Sequence, residues 1–522
     1  MLRGAAVGSI LAEGEVMRSG YERAGFGPGR RGSVTISLPM RLSELTANLP
    51  LADVRGDPGV PITGLTYRSS AVEPGSLFFC VRGLHVDGHD FAGEADRRGA
   101  AAVVAERPLE AECVQVLVPS VREAMGPVSA AFFGWPSTHL SLVGVTGTNG
   151  KTTTTYLMES IFRAAGMKAG VIGTTGVRID GAPVPFDRTT PEGPDLQELL
   201  RRMLDEGIGA VAMEVSSHGL EQHRVDGCRC ACAVFTNLSQ DHLDYHGTME
   251  AYFEAKARLF TPELTDHGVV NVDTAEGRRL AERATVPVVS FGLEPGADVR
   301  PEDVTVGSDG LSFRVGGVVV RSRLRAHFNV SNCLAAFVAA RQIGIADGAI
   351  VEGLAALPGV PGRLEPVEVG QPFAVLVDYA HTPDSLDNVL RAARKLTGGE
   401  LIVVFGCGGD RDRGKRPLMG EAATRLADLT VVTSDNPRSE EPEAIIAEII
   451  PGAERGGGRF VVQPDRRVAI GLALSEARRA DVVIVAGKGH ETGQEFAGGR
   501  KVPFDDRVVA VEELRRLLGA DR

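Results

Sequence analysis

The chain has 522 residues, more than one hydrophobic core usually supports, so we expect two to four domains. Its 56 Lys and Arg residues against 68 Asp and Glu residues give a net charge of -12 at pH 7. This acidic balance argues against nucleic acid or an anionic membrane as the main partner, and we expect neither. An anionic substrate would then need local basic residues.

The seven cysteines are odd in number and contain no CxxC pair, which predicts reduced thiols in a cytoplasmic protein. Cys228, Cys230 and Cys232 alternate in CRCACAVFTNLS. This spacing predicts three small apolar side chains on one face of a strand rather than a zinc site.

The amino-terminal segment, residues 1 to about 40, has no periodic pattern and includes GFGPGRRGS, so we expect a flexible tail. Glu13 and Glu15 cut its short apolar patch, which argues against a signal peptide or a membrane span. We therefore expect a cytoplasmic protein.

A small α/β domain is predicted for residues 41–138. Glycine and proline turns separate its four strand-like runs, which are ITGLTYRSS, GSLFFCVRG, AAVVAE and VQVLVP.

The stretch TGTNGKT lies between SLVGV, which predicts a strand, and a helical pattern that follows Lys151 and stops at Gly166. Strand, glycine loop and helix in this order predict a phosphate-binding loop (P-loop). In such a loop Lys151 reaches the terminal phosphates and Thr152 a magnesium ion. The standard pattern has glycine where this chain has Val145. The alternative is a glycine turn with a solvated lysine.

A longer α/β series follows, with predicted strands at GVIGTTG, AVAMEVS, ACAVFTNL and GVVNVD and then a strand-rich stretch over residues 303–324. Prolines and glycines in AALPGVPGRLEPV predict a boundary near residue 360. Beyond it, alternating strands and helices indicate a second, doubly wound sheet. Its predicted strands are FAVLVDYA, LIVVFGCGG, LTVVTSDNP, RFVVQPD and DVVIVAGKGH.

Two polar clusters come directly after strands of the first series. Glu214 is an acidic residue suited to magnesium, or alternatively an ordinary strand terminus. Asp241, His242, Asp244 and His246 predict a loop that handles metal or phosphate. The alternative is a capped helix start with satisfied histidines.

Two helical segments are ambiguous from their residues alone. In YFEAKARLF, Glu254 and Arg258 have the spacing of an ion pair, and Lys256 reads as one solvated charge. Asn329 and Asn332 in HFNVSNC either cap a helix or present two amides to a nucleotide.

Four polar loops follow strands of the last region, in VDYAHTPDSL, GCGGDRDRGKRP, TSDNPRSEEP and AGKGHET. Arg411 and Arg438 lie in two of them and are suited to bind carboxylates with both guanidinium nitrogens. Ligands bind beyond the carboxyl ends of strands in such sheets, so we expect a binding face here.

From about residue 40 to 520 the motifs run in unbroken order as TGTNGKT, TTPE, EVSSHGLEQHR, TNLSQDHLDYHGTMEAYFEAKARLF, HFNVSNC, DYAHTPDSL, GCGGDRDRGKRPLMG, DNPR and AGKGHE. Together they resemble the Mur ligase family, and most closely its members that add diaminopimelate. The altered P-loop is this family's own variant.

The resemblance implies an α/β protein of three domains after the tail. A small N-terminal α/β domain (41–138) would bind the UDP part of one substrate. A central P-loop-type ATPase domain with a mainly parallel sheet (139–360) would precede a Rossmann-like, doubly wound domain (361–522) for the incoming amino acid. ATP would phosphorylate the D-glutamyl side-chain carboxylate of UDP-N-acetylmuramoyl-L-Ala-D-Glu, and the amine of meso-2,6-diaminopimelate would then attack. We expect a monomer.

The resemblance also implies the nucleotide and metal sites. Lys151, Glu214, His242 and Lys256 would be catalytic, with Lys256 carboxylated by CO2 into an anion. Magnesium would be bound by Thr152, Glu214, His242 and the modified Lys256. ATP would contact Gly147, Thr148, Asn149, Gly150, Lys151, Thr152, Thr153, Asn329, Asn332, Arg363 and Asp378.

For the UDP-sugar peptide, the resemblance implies contacts from Ser69, Leu84, His85, Val86, Thr189, Thr190, Ser216, Gln222 and Arg224. One departure concerns the residue before the paired threonines. Many relatives have a polar Asn or Asp there, whereas this chain has Arg188.

The tetrapeptide DNPR resembles the signature of members that add meso-diaminopimelate. The implied pocket consists of Arg411, Asp435, Asn436, Pro437, Arg438, Gly487 and Glu491. A pocket with Arg438 desolvated and unpaired should reject lysine by a factor on the order of 10⁴ or more, because lysine lacks the second amino acid end of diaminopimelate.

Several alternatives remain open at this stage. A lysine-adding member of the family would share every motif except the amino-acid pocket. A folylpolyglutamate synthase would need a folate site and neither DNPR nor a uridine segment. A non-catalytic nucleotide-sugar binder should have lost one of Lys151, Glu214, His242 and Lys256, and a P-loop motor or switch would not need the ordered downstream motifs.

Overall fold

The computed structural model describes residues 39–49, 52–83, 86–184, 186, 188–307 and 309–519. These residues form two compact units, the first ending at Gly134 and the second beginning at Trp135. The tail predicted for residues 1–40 lies outside the described residues except for its last two positions, and so do Leu84 and His85.

The first unit contains β1 (Met40–Arg41), α1 (Leu42–Thr46), β2 (Asp53–Arg55), β3 (Pro61–Ile62), β4 (Gly64–Thr66), β5 (Ser76–Phe79), α2 (Ala92–Arg97), β6 (Ala102–Ala105), β7 (Val114–Leu117) and α3 (Val121–Phe132), with 3₁₀ turns at Ser69–Ala71 and Gly88–Phe91. Its main sheet has the order β2-β7-β6-β5-β4 and is parallel except for β2. Leu77 and Phe79 face one core and Phe78 the other, because side chains alternate along a strand. The four predicted strands are confirmed.

The second unit opens with β8 (Ser141–Thr146), α4 (Lys151–Ala164), β9 (Ala169–Gly173), β10 (Gly176–Ile179), β11 (Ala182–Val184), α5 (Gly193–Asp205), β12 (Ala210–Glu214), α6 (Ser217–Glu221), β13 (Cys232–Phe235), α7 (Leu243–His246), α8 (Met249–Ala257), β14 (Gly268–Asn271), α9 (Ala275–Arg283) and β15 (Val288–Phe291), with 3₁₀ turns at Pro136–His139 and Arg258–Phe260. The strand, loop and helix predicted around Lys151 are confirmed.

These strands form an eight-stranded sheet in the order β11-β10-β9-β12-β8-β13-β14-β15. The six strands from β9 to β15 are parallel, and the hairpin β10–β11 is antiparallel. Leu157 of α4 lies in the core on one face, and Phe253 of α8 lies in the core on the other. The connections that leave β8 and β13 therefore diverge, which opens a crevice at the carboxyl ends of these strands.

The strand-rich stretch predicted over residues 303–324 forms an antiparallel sheet of β16 (Glu302–Gly307), β17 (Gly310–Val315) and β18 (Val318–Ser322). Two helices follow, α10 (Phe328–Gln342) and α11 (Asp347–Ala356). Phe337 of α10 and Leu354 of α11 share a core with α4, so these helices cover the helix that begins at the P-loop.

The last elements are β19 (Glu365–Pro366), β20 (Ala374–Asp378), α12 (Pro383–Leu396), β21 (Leu401–Phe405), α13 (Lys415–Leu426), β22 (Leu429–Val432), α14 (Pro442–Gly456), β23 (Arg459–Val462), α15 (Arg466–Glu476), β24 (Val482–Ala486), β25 (Gly493–Phe496), β26 (Arg500–Pro503) and α16 (Asp506–Leu518), with a 3₁₀ turn at Ala497–Gly499. A six-stranded sheet has the order β19-β20-β24-β21-β22-β23 and is parallel except for β19. Helices α12 to α14 cover one face, and α15 and α16 cover the other.

The predicted α/β class, with two mainly parallel sheets and a doubly wound carboxyl-terminal sheet, is therefore confirmed. Both large sheets lie in the second unit, and the boundary near residue 360 stays a prediction. Within the described part of the chain, no helix is both long and apolar enough to cross a membrane.

The expectation for the three alternating cysteines is wrong in one respect. All three thiols are buried and free, but Cys232 lies in the core on one face of the sheet and Cys228 and Cys230 in the core on the other. Strand β13 begins only at Cys232, so the strict alternation of a strand does not extend back to the other two. Burial raises the pKa of Cys232 to about 12, which makes this thiol unreactive.

Candidate active site

A cavity of about 540 Å³ lies where the carboxyl ends of β8, β12, β13 and β20 meet. The predicted residues that line it are Thr148, Asn149, Gly150, Lys151, Thr152, Thr153, Thr189, Glu214, Ser216, His242, Lys256, Asn329, Asn332, Arg363 and Asp378. This volume suits a ligand of the size of a nucleotide.

The two P-loop glycines, Gly147 and Gly150, take positive φ angles of 144° and 87°. A Cβ on Gly147 would lie 1.9 Å from Thr236 Oγ1, and one on Gly150 would lie 2.4 Å from Asn332 Oδ1. Only glycine fits at these positions, so the loop lies tightly against β13 and α10.

Lys151 is the first residue of α4, so the helix N-terminus points its free N–H groups toward the cavity. Its Nζ donates to the carbonyl oxygens of Gly147 at 2.9 Å and Thr148 at 2.8 Å. Burial lowers the pKa of Lys151, whereas the charges of Glu214 and Asp241 oppose that shift. A phosphate is therefore the kind of ligand that this corner would stabilise.

Glu214 ends β12 and is buried against the loop that follows β9. Its carboxylate accepts hydrogen bonds from the N–H and the hydroxyl of Thr174, each at 3.0 Å. Thr152 Oγ1 accepts a hydrogen bond from Arg363 Nη2 at 2.9 Å, although these residues are 211 positions apart.

Lys256 was expected from its segment alone to be solvated, but it is 1% exposed. Its Nζ donates to Gly147 O at 2.9 Å and lies 4.4 Å from the centre of the Tyr252 ring. Burial and the neighbouring charge of Lys151 hold the pKa of Lys256 well below its usual value. This shift favours the neutral form of the amine beside the P-loop.

The ion pair predicted between Glu254 and Arg258 is not formed. Glu254 instead pairs with Arg279 and Arg283 of α9, and Arg258 Nη2 lies 3.2 Å from Asp226 Oδ1. Both arginines of α9 approach along the same helix surface, so tertiary packing replaced the local i,i+4 partner.

The polar loop after β13 divides between the cavity and solvent. Asp241 and His242 line the cavity, whereas Asp244 is exposed and His246 contacts Ser217 Oγ at 2.9 Å. His242 Nε2 lies 3.4 Å from Asp241 Oδ2. Burial lowers the pKa of His242 to about 3, so its imidazole is neutral at physiological pH and free to act as a ligand.

Asn329 and Asn332 line the cavity and do not cap a helix. The N-cap of α10 is His327, and its side chain makes no capping hydrogen bond. Asn332 Nδ2 donates to Asn329 Oδ1 at 2.9 Å, which aligns the two amides.

Asp378, at the end of β20, accepts hydrogen bonds from the N–H groups of Leu364 at 2.7 Å and Ala380 at 2.8 Å. Burial raises its pKa despite the nearby charge of Arg363. The Arg363 guanidinium lies 4.6 Å from the centre of the Tyr379 ring. The region beyond residue 360 thus contributes an arginine and a carboxyl group to the cavity.

A second group of predicted residues meets next to Glu214. Thr190 Oγ1 lies 3.1 Å from Ser216 Oγ and donates to Glu214 O at 3.0 Å. Arg224 donates to Thr190 O at 3.0 Å and to Gln222 Oε1 at 2.6 Å. These side chains form one network of donors and acceptors beside the cavity.

Arg188, the departure from the family pattern, forms an ion pair with Glu192, which also pairs with Arg224 at 3.1 Å. In the first unit, Ser69 begins a 3₁₀ turn and Val86 is 56% exposed. Their predicted role in uridine binding stays a prediction.

The two loops predicted to bind the incoming amino acid, called the amino-acid loops, follow β22 and β24. Lys488 is fully buried and donates to Asn436 Oδ1 at 2.8 Å and to Glu491 Oε2 at 2.9 Å. Gly487 has a φ of 120°, and a Cβ there would lie 2.4 Å from Asp435 Oδ2. The two loops therefore interlock closely.

Arg438 has two partners within the protein. Its Nε lies 3.2 Å from Glu495 Oε2, and its Nη1 donates to Gly409 O at 2.7 Å. The side chain of Arg438 is 21% exposed. Arg411 donates to Asp410 O at 2.8 Å.

The cavity lining does not include Arg411, Asp435, Asn436, Pro437, Arg438, Gly487 or Glu491. A link nevertheless exists, since His490 Nε2 lies 3.1 Å from the carbonyl oxygen of Thr174, the residue that holds Glu214. Sequence reasoning assigned no role to Thr174 or Lys488. Only the position of Lys488 between two glycines after a strand was a usable signal.

The oxygen ligands near the P-loop fit magnesium only in combination with a bound phosphate. In the chain as described, no three His, Cys, Asp or Glu side chains form a complete metal site. Magnesium, however, takes only one or two protein carboxylates beside substrate phosphates and water. The Glu214 carboxylate and the Thr152 hydroxyl line the same cavity and offer oxygen ligands of that kind, so the residues fit a phosphate-bound magnesium ion.

Three segments match family descriptions of known proteins. Residues 61–132 match the Mur ligase family catalytic domain, residues 145–340 the Mur ligase middle domain and residues 362–489 the Mur ligase glutamate ligase domain. The resemblance seen in the motifs is thus confirmed over most of the described chain.

Two curated relatives align with this chain over nearly their whole length. The chain is 47% identical over 482 residues to a UDP-N-acetylmuramoyl-L-alanyl-D-glutamate–2,6-diaminopimelate ligase from Geobacillus thermodenitrificans, covering 90% of this chain and 98% of the relative. It is 48% identical over 503 residues to a ligase of the same name from Streptomyces coelicolor, covering 92% and 98%.

Solved structures extend the comparison. A structure of a UDP-N-acetylmuramoyl-L-alanyl-D-glutamate–2,6-diaminopimelate ligase is 36% identical, with a TM-score of 0.66 over 92% of this chain and 100% of that chain. A folylpolyglutamate synthase from Mycobacterium tuberculosis shares the fold at 18% identity and a TM-score of 0.58, over 76% of this chain and 95% of that chain. From the matched segments and the full-length relatives, the chain belongs to the Mur ligase family.

Proposed function

We propose that this Mur ligase uses ATP to join the amine of meso-2,6-diaminopimelate to the D-glutamyl side-chain carboxylate of UDP-N-acetylmuramoyl-L-Ala-D-Glu, a step of peptidoglycan precursor synthesis. The observation that carries the proposal is the meeting of Lys151, Glu214 and Lys256 with Arg363 and Asp378 around one cavity. The names of the curated relatives support the choice of substrates.

The reaction has two steps. In the first, a carboxylate oxygen of the D-glutamyl group attacks the γ-phosphorus of ATP and ADP leaves, which gives an acyl phosphate. In the second, the amine nitrogen attacks the acyl carbon, phosphate leaves and the nitrogen loses a proton to give the amide. The protein has little covalent chemistry to do, so positioning and charge neutralisation carry the catalysis.

The P-loop supplies the charge neutralisation for the first step. Lys151 and the N-terminus of α4 bind the phosphates, and Lys151 exchanges its present bonds to backbone carbonyls for phosphate oxygens. Asn329, Asn332, Arg363 and Asp378 hold the nucleotide. Thr152 gives up its hydrogen bond from Arg363 when the nucleotide binds.

Magnesium, when bound, neutralises the charge that develops on the phosphate oxygens. Thr152, Glu214, His242 and carboxylated Lys256 would hold it. Thr174 orients the Glu214 carboxylate through two hydrogen bonds, so this ligand is already in place.

Carboxylation of Lys256 completes this set. The reaction needs a neutral amine, whose nitrogen attacks the carbon of CO2 and loses one proton to give an anionic carbamate. Burial and the charge of Lys151 favour the neutral Lys256 amine by lowering its pKa. The anionic carbamate would then lie beside a cationic Lys151 and attract it.

Contacts with neighbouring residues support the positions of the remaining predicted sites. The network of Thr189, Thr190, Ser216, Gln222 and Arg224 lies beside Glu214 and would bind the muramoyl peptide, with Ser69 and Val86 on the uridine. The diaminopimelate pocket would consist of Arg411, Asp435, Asn436, Pro437, Arg438, Gly487 and Glu491, and the contact between His490 and Thr174 supports a position near the acyl carbon.

We also propose three domains (41–138, 139–360 and 361–522), a monomeric state and a cytoplasmic location. All seven cysteines are free, which suits a reducing compartment.

The test is a coupled assay of ADP release with ATP, magnesium and UDP-N-acetylmuramoyl-L-Ala-D-Glu. Diaminopimelate and L-lysine are added separately, and the product mass is measured. Turnover with diaminopimelate alone is the expected result. Turnover with lysine would show that lysine, not diaminopimelate, is the amino acid that is added. No turnover with either amino acid would overturn the proposal and direct the search to folates.

A further inference from the structure

Outside the active site, the second unit contains an ion pair that is completely buried. Arg466, the first residue of α15, binds Asp506, the first residue of α16, through Nε to Oδ1 at 2.8 Å and Nη2 to Oδ2 at 2.6 Å. Both side chains are 0% exposed. Two N–H groups on one edge of the guanidinium therefore bind the two oxygens of one carboxylate.

The same guanidinium also reaches two strand ends. Nη1 donates to Ser434 O at 3.3 Å, and Nη2 donates to Ala486 O at 2.9 Å. Ser434 is the residue before Asp435, and Ala486 is the residue before Gly487. One side chain therefore holds both backbone positions at which the amino-acid loops leave the sheet.

We propose that Arg466, held by Asp506, is a positioning residue for the amino-acid pocket: it fixes the loop that starts at Asp435 against the loop that starts at Gly487. This inference rests on the proposed function. The two loops touch closely, because a Cβ on Gly487 would lie 2.4 Å from Asp435 Oδ2. A small shift of either strand end therefore displaces groups on both loops.

A purely structural role explains the pair less well. A buried ion pair costs so much desolvation that apolar residues of similar size often serve stability equally well. Apolar residues cannot donate to the carbonyl oxygens of Ser434 and Ala486, whereas the guanidinium donates to both. The ion pair therefore supplies hydrogen-bond donors to these two carbonyl oxygens, which apolar packing would not.

The test compares four variants of the full chain in steady-state assays. Arg466→Lys keeps the charge but loses the planar fork, Asp506→Asn weakens the hold on Arg466, and Arg466→Met with Asp506→Leu replaces the pair by apolar side chains. Arg467→Met is the matched control, because Arg467 joins the same two helices at the surface through Glu512 at 2.7 Å.

We expect the KM for diaminopimelate to rise roughly 10-fold in Arg466→Lys and Asp506→Asn and up to about 100-fold in the double variant. The KM values for ATP and the UDP-sugar peptide should stay within about twofold of the wild type, and Arg467→Met should match the wild type in all three. That split is a readout that general destabilisation would not produce.

An unchanged KM for diaminopimelate in a folded double variant would overturn the inference. So would an equal rise of all three KM values together with a lower Tm. If the double variant does not fold, Arg466→Lys decides by the same two criteria. The wild type is assayed alongside: its silence counts against the proposed function itself, whereas an active wild type with unchanged variants counts against Arg466 alone.

Discussion

Two regions of the second unit that we propose as ligand sites differ in how their buried charges are paired. At the P-loop edge, the loops after β8, β12 and β13, Lys151 and Lys256 donate to backbone carbonyls. Among the described residues, neither lysine has a carboxylate within ion-pair distance. At the DNPR edge, the loops after β21, β22 and β24, Arg438 pairs with Glu495 and Lys488 with Glu491.

This difference matches the ligands that we propose for each edge. An edge whose Lys151 and helix N-terminus bind no carboxylate directly gains most from a polyanion such as a nucleotide, because the phosphates of the ligand supply that partner. An edge whose charges are already paired suits a zwitterion, whose own ammonium and carboxylate groups can exchange partners with the protein without leaving a net buried charge. The predictions below test that contrast.

The largest expected effect comes from removing the buried lysine of the P-loop edge. Lys256→Ala should lower kcat about 10³-fold or more, because the proposed carbamate and its charge are lost. A small added carboxylate such as acetate should restore part of the activity if negative charge is the main contribution. Lys395→Ala, at an exposed position in the last turn of α12, is the control.

Full activity of Lys256→Ala would rule out the carbamate. Intact-protein mass spectrometry under CO2 gives an independent check, since the wild type should gain the mass of one CO2 and the alanine variant should not.

At the DNPR edge, Arg438→Ala should lower kcat/KM for diaminopimelate roughly 10²-fold, because Glu495 loses its partner and the ligand loses a guanidinium. The KM for ATP should change little. Arg413→Ala serves as the control, because Arg413 is an exposed arginine paired with Glu448 outside the pocket. Equal losses for both substrates would show that Arg438 is structural.

The two edges should also differ in their response to acid. Burial lowers the pKa of His246 from 6.5 to about 4, so the unfolded chain binds a proton that the folded chain does not, and stability falls as the pH drops below 6.5. At the DNPR edge the bond to Arg416 lowers the pKa of Glu440 from 4.5 to about 2, so this contribution is lost only as the pH falls below 4.5.

From pH 7 to pH 5, we therefore expect His246→Gln to lose about 1 kcal/mol less stability than the wild type, after allowance for solvent screening. Denaturant unfolding at both pH values measures this difference. The exposed His139 provides the control substitution His139→Gln. An identical pH dependence in wild type and His246→Gln would contradict the prediction.

The smallest effect concerns an exposed cation near the P-loop edge. Arg188→Asn, which restores the residue type common in the family, should change stability by no more than about 0.5 kcal/mol, because Glu192 keeps its ion pair with Arg224. Thermal unfolding measures the change. A larger loss of stability would mean that Arg188 stabilises the fold more than its 49% exposed side chain suggests.

Elements with a strong local pattern were predicted correctly from the sequence. The helix after Lys151 begins and ends as expected, because glycines at both ends and apolar residues at helical spacing specify it locally. The buried strands of both large sheets were found for the same reason. Edge strands such as β11 and β19 were missed, because each has only two or three residues and contains a proline.

The residues of the candidate active site also differ in whether the sequence alone could identify them. Residues of the P-loop could be assigned from their own segment, since the loop geometry and its chemistry are both local. Lys256 could not, because its segment alone reads as a solvated helix and only its resemblance to the family indicated a role. Its burial comes from Tyr252 and Gly147, and the contact with Gly147 spans 109 positions.

By itself, then, the sequence determined the elements, their order and the residues that end at the carboxyl edges of the strands, because these depend on periodicity and turn chemistry within a few residues. Only the tertiary structure decided which charges are paired. In the folded chain, Arg438 pairs with Glu495, Glu254 pairs with Arg283 instead of Arg258, and Arg466 is buried against Asp506. Burial and pairing depend on residues far apart in the chain, which no local pattern records.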